Sequence, residues 1–332
     1  MSDVWPAGAV TGIGSLPGSD PVEAAALVLG ELPEFPHLPE LPGRGGGAEL
    51  IGRTASLLVD LPVEIVASGW RLAAHPGRDQ RRARDFLARD LDALEAQAAG
   101  FAGPLKLQSA GPWTLAANLE LPNGHKVVSD HGAVRDLAES LAEGLREHQQ
   151  SVAARVPGAR AVVQLDEPSL PAVLAGEVPT PSGYGTVRAV RAEVAESTLR
   201  TVLESAAEGG RVVHCCAADV PIALLRGAGA DAIALDAALL TTGHFDALGE
   251  ALEAGVSLWL GVLPSTDATI TLDTARDPIE RLWSALGFAR EQRAARLVPT
   301  PACGLAGASP DYVRRVLSVL RDTGRWLLDE GD

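Results

Sequence analysis

The sequence predicts an α/β chain folded as a single (β/α)8 TIM barrel over residues 1–332, on three observations. Short β-branched or apolar runs alternate with Ala-, Leu-, Glu- and Arg-rich stretches along the whole chain. Eight such runs can be counted, and most are continuously hydrophobic, as parallel strands covered on both faces are. Eight β/α units closing on themselves make a barrel, a fold that routinely exceeds the usual domain length, with an open doubly wound sheet as the alternative.

In chain order, GAVTGIG near residue 8 leads into the turn Gly14-Ser15, and VEIVAS from Val63 into Ser68-Gly69-Trp70. LKLQSA from Leu105 is followed by a Gly-Pro turn ending at Pro112, and AVVQLD from Ala161 ends on Asp166-Glu167-Pro168. RVVHCC from Arg211 ends on His214-Cys215-Cys216, and DAIALD from Asp231 ends on Asp236. SLWLGV from Ser257 precedes the stretch Gly261 to Thr266, and RLVPTP from Arg296 runs to Cys303-Gly304. Between them, 81–99 and 133–156 carry helical composition and period, and 309–328 opens with a Ser/Asp start signal. Residues 31–49 and 177–187 are rich in Pro and Gly and are expected to be loops that line a site or simply connect elements.

Composition narrows the function. Lys and Arg number 28 against 43 Asp and Glu, a net charge of −15, so nucleic acid and anionic membrane surfaces are poor partners and a small molecule is the better expectation. A hydrophobic fraction of 46% and mean hydropathy of +0.11 supply a core. No signal-like N-terminus and no bilayer-length apolar run is present, which predicts a cytoplasmic protein. Three cysteines, two of them adjacent, make a poor disulfide framework and point to metal binding, catalysis or inert burial.

In a barrel the strand C-termini share one mouth. His214 and Cys216 are two apart, so extended backbone points both to one side and Cys215 to the other. Asp236 after the sixth run and Cys303 after the eighth complete a candidate tetrahedral set of N, S and O donors suited to Zn2+. Two thiolates and a carboxylate on zinc(II) leave a formal −1, an electron-rich sphere that favours thiol activation over hydrolysis. Alone, His-x-Cys is a short pattern that ordinary packing also produces. The other histidines (37, 75, 125, 131, 148 and 244) have no evident partners and are expected at the surface.

Six segments in order, GIGSLP at 12–17, SGW at 68–70, GPWTLAAN at 111–118, QLDEPSL at 164–170, HCC at 214–216 and PTPACGL at 299–305, resemble motifs of the catalytic C-terminal barrel of cobalamin-independent methionine synthase. The resemblance implies a methyltransferase that moves a methyl group to the sulfur of homocysteine, in methionine biosynthesis. By position it implies zinc ligands at His214, Cys216 and Cys303, with Asp236 where the family has a glutamate. It also implies that Ser15, beside Gly14, contacts the amino acid's carboxylate and that Asp166 receives its ammonium; Trp70, in the SGW segment, is either a wall of the pocket or a packing aromatic.

This chain also departs from the family. It has one barrel where the full-length enzymes resemble two, Asn118 replaces a tryptophan, and no histidine follows the seventh run. These differences disfavour methyltetrahydrofolate and bring in a corrinoid protein as a possible methyl donor. Another alkyl-sulfur substrate, or an inactive metal- or amino-acid-binding barrel, are the alternatives.

Overall fold

Six parallel strands form the centre of the molecule in the order β3-β4-β5-β6-β7-β8, in a computed structural model that describes residues 4–206 and 209–329. The strands are β3 (Ala102–Ala110), β4 (Gly158–Asp166), β5 (Arg211–His214), β6 (Ala232–Asp236), β7 (Ser257–Leu263) and β8 (Leu297–Pro301). A helical segment separates each from the next, so every connection is a crossover and the sheet is parallel. The helices Arg78–Gln97, His131–Arg155 and Pro310–Asp329 fall within three residues of the expected ones. No described helix is long and apolar enough to cross a membrane.

Two extended segments run between β8 and β3. Thr11 N donates to Pro299 O (3.4 Å), Leu16 N to Glu40 O (2.9 Å) and Glu40 N to Gly14 O (3.1 Å). Leu38 N donates to Lys106 O, and Lys106 N to Pro36 O, both at 2.9 Å. The segments 9–16 and 36–40 lie beside each other and beside β3 through isolated bridges at Ser15–Glu40 and His37–Lys106 rather than as strands. This corrects the sequence reading twice. Residues 36–40 lie inside the stretch read as a loop, and VEIVAS is not a barrel strand. Instead β1 (Val63–Val66) pairs antiparallel with β2 (Gly69–Leu72) across a two-residue turn, with Ile65 exposed. The barrel expectation is met in six parallel strands.

Side-chain alternation divides the interior into layers. Leu105 and Leu107 pack outward against Leu87, Leu91 and Val152 of the covering helices. Inward at one level, Val162, Val212, Ala232, Trp259 and Val298 join Trp5 and Phe35 in an apolar plug. The Trp259 ring lies edge-on to both Trp5 and Phe35 at 5.3 Å. Further along each strand the inward residues turn polar: Gln164 and Asp166 follow Val162, and His214 follows Val212. Cys216 comes two residues later, so the strands rise from an apolar floor to a polar mouth.

Candidate metal centre

His214 ends β5, Cys216 lies two residues beyond it, and Cys303 lies two beyond the end of β8. Their ligand atoms all fall within 4.8 Å of one another, and the two sulfurs are 3.6 Å apart. His214 is buried; its Nδ1 lies 2.8 Å from Asp166 Oδ1, while its Nε2 is buried without a hydrogen-bond partner among the described residues. The carboxylate accepts a hydrogen bond from Nδ1–H and so leaves the Nε2 lone pair free for a metal. One nitrogen and two sulfurs form a donor set that fits zinc.

Electrostatics agree with that arrangement. The hydrogen bond between the sulfurs, with the His214 charge, holds the Cys303 thiol down at about 6 against the opposing effect of burial. The same bond, with burial, pushes Cys216 above the usual thiol range. Burial pulls His214 down, but the bond to and charge of Asp166 outweigh it and raise its pKa. Burial pushes the outward-facing Cys215 up to about 12.

A cavity of about 180 Å³ opens on the cluster, lined by Ser15, Glu40, Asp166, His214, Cys216 and Cys303 among others. Ser15 is fixed by its backbone, since Leu305 N donates to Ser15 O at 2.7 Å. Gly14 has φ of +155°, and a Cβ there would come within 2.8 Å of the Gln108 side chain, so glycine is required. The hydrogen bonds to Asp166 from Gln164 Nε2 and His214 Nδ1 both fall on Oδ1. The structure thus brings Ser15, Asp166, His214, Cys216 and Cys303 together.

Asp236 and Trp70 are not brought there. Asp236 Oδ1 accepts from Ala238 N at 2.8 Å, capping a 3-10 turn, and its side chain lines a neighbouring pocket; it is absent from the donor cluster. Trp70 lies in the β1–β2 hairpin, donates through Nε1 to Glu49 and packs on Gly52. His37 and His148 are buried, not at the surface as expected.

Sequence reasoning missed the polar shell under the cavity. Lys106 is fully buried, donating through Nζ to Ile13 O at 2.6 Å and Gln108 Oε1 at 3.1 Å. Burial lowers it to about 7 against the attraction of Asp166 and Glu40. Burial raises Glu40 to about 7, opposed by Arg53, whose Nε lies 3.6 Å from Glu40 Oε1. Glu167 accepts from Trp113 N (2.9 Å), Thr114 N (2.7 Å) and Thr114 Oγ1 (2.8 Å), anchoring the helix Pro112–Asn118. Its pKa is pushed up to about 7 by burial. A signal existed: Lys106 and Gln108, like Gln164 and Asp166, sit two apart inside apolar runs and so share the inward face.

Among solved structures, a B12-independent methionine synthase from Shewanella sp. W3-18-1 in complex with selenomethionine is 15% identical with a TM-score of 0.63, each chain covered over 98%. At that identity the likeness establishes a shared fold. A GH5_18 protein from Streptomyces cattleya in complex with GlcNAc is 14% identical over 97% of this chain and 80% of its own, with a TM-score of 0.47. No curated protein matches the chain in sequence. Residues 9–325 match the family model described as cobalamin-independent synthase, catalytic domain, and the chain belongs to that family.

Proposed function

We propose that this chain is a zinc-dependent methyltransferase that methylates the sulfur of a small amino-acid thiol, homocysteine giving methionine. The observation that carries the proposal is the buried, unpartnered Nε2 of His214 beside the Cys216 and Cys303 sulfurs. Zinc bound by these three residues would hold the substrate thiol as a nucleophilic thiolate. Asp166 fixes the His214 tautomer through Oδ1, which leaves Oδ2 to receive an ammonium group. The Ser15 hydroxyl on the cavity wall can donate to the substrate carboxylate, so a zwitterion is held at both charges. The cavity lies below the range of roughly 300–1,000 Å³ usual for drug-sized ligands and suits one amino acid.

The expected corrinoid partner finds no support, because the family is cobalamin-independent by description. The test is zinc content and homocysteine methylation by wild type, Cys216→Ala and Cys303→Ala, with methyltetrahydrofolate and methylcobalamin each offered as donor. Stoichiometric zinc and methionine from wild type, both lost in the variants, are expected. Folded wild type that takes up no zinc on reconstitution would remove the proposal. Zinc without turnover on either donor would leave a metal-binding barrel or another alkyl-sulfur substrate.

A further inference from the structure

The chain contains two lysines, Lys106 beneath the donor cluster and Lys126 in a separate cleft. That cleft, of about 700 Å³, lies between the loop 119–130 and the loop 176–191. His125, Lys126, His131, Arg188 and Arg191 line it, and no Asp or Glu does. In a chain with 43 acids and 28 Lys and Arg, an acid-free concave surface holding this many cationic and titratable groups runs against the average charge. The side chains of Arg188 and Arg191 meet no carboxylate among the described residues, whereas Arg44, Arg53, Arg200 and Arg211 each hold one. Lys126 is shared with Glu120 Oε1 (3.3 Å) and Asn118 O (3.4 Å), which positions its ammonium at the edge of the cleft.

The walls are built rather than loose. Buried Val128 and Val190 form the apolar backing, and Val190 N donates to Val173 O at 3.1 Å. Asn118 Nδ2 donates to Ser169 Oγ (3.3 Å), which ties the end of the helix Pro112–Asn118 to the start of the helix Leu170–Ala175. The loops follow the short helices Pro112–Asn118 and Leu170–Ala175, which come after the C-terminal ends of β3 and β4, the side on which the donor cluster lies.

We infer that this cleft binds a small polyanion carrying at least two phosphate or carboxylate groups, held by Arg188 and Arg191 with Lys126 and the two histidines at its margin. Guanidinium forks facing water without an internal acid are preorganised for bidentate contact with such groups. The inference is independent of zinc and of the methyl-transfer reading.

The test titrates pyrophosphate and citrate into wild type and R188E/R191E, read by calorimetry and by the ring shifts of His125 and His131 in NMR. Both substituted residues are exposed, so unchanged circular dichroism is expected of the variant. Binding by wild type that moves the two histidines, falls with salt, and weakens at least about tenfold in the variant is expected. Pyrophosphate alone would identify a phosphate ligand, and citrate alone a carboxylate ligand; either supports the inference. No binding of either anion to wild type, or equal binding to the variant, would overturn it.

Discussion

Replacing Asp166 tests whether the second layer of the site sets its metal affinity. Asp166 Oδ1 accepts from His214 Nδ1 at 2.8 Å between two buried side chains, so the bond works in a low-dielectric setting. Removing the group that orients a ligating histidine costs about 10- to 100-fold in metal affinity, or about 1.4–2.7 kcal/mol. Asp166→Asn keeps an oxygen that can still accept from Nδ1 and loses only the charge, so it belongs near the tenfold end. Asp166→Ala loses the bond and belongs near the hundredfold end. Zinc dissociation constants from competition with a chromophoric chelator give the measurement. Zinc affinity unchanged in both variants would refute the orienting role of Asp166. The same variants at saturating zinc should raise KM for the thiol substrate, because the ammonium loses its counter-charge.

Other expectations concern the shell around the cluster. Gly304→Ala would put a Cβ 2.0 Å from Ser15 Oγ, so the hydroxyl must rotate away; KM for the amino-acid thiol should rise with zinc content unchanged, and steady-state kinetics with metal analysis check this. Glu167→Gln sets an amide N–H against a buried donor and should cost about 2–4 kcal/mol at mildly alkaline pH, read as a lower urea midpoint. Lys106 has a folded pKa near 7 against 10.5 for the free side chain, so the unfolded chain binds the extra proton between those values. Wild-type stability should therefore rise with pH across that window, and Lys106→Met should flatten the rise in urea titrations; parallel profiles would contradict it.

The strands that were legible are those whose apolar runs are continuous. LKLQSA, AVVQLD, RVVHCC, DAIALD, SLWLGV and RLVPTP overlap β3 to β8 in turn. The extended segment beside β3 was hidden because 36–40 carries two prolines and two buried polar residues, His37 and Glu40, and so resembles a loop by composition. VEIVAS has β-branched residues but pairs only with its own neighbour, since a hairpin satisfies the same propensity locally. At the site, His214, Cys216 and Cys303 could be found because ligand chemistry restricts which residues can serve. Glu40 and Lys106 carry no such pattern, and their roles come from long-range contacts with Arg53 and Ile13. Asp236 was placed by its strand end, but its Oδ1 accepts from Ala238 N and it stands outside the donor cluster.

The two sulfurs of the donor cluster stand 87 residues apart in the chain. At roughly 5–20 residues per second, a ribosome needs about 4–17 s to pass from Cys216 to Cys303. During that interval the nascent chain displays a His-x-Cys pair with an open face, able to capture a stray soft metal ion or an oxidant but unable to complete a tetrahedron. The second sulfur becomes available only after β8 and the turn that follows it, so a metal ion held by all three residues would be captured only once Cys303 is in place.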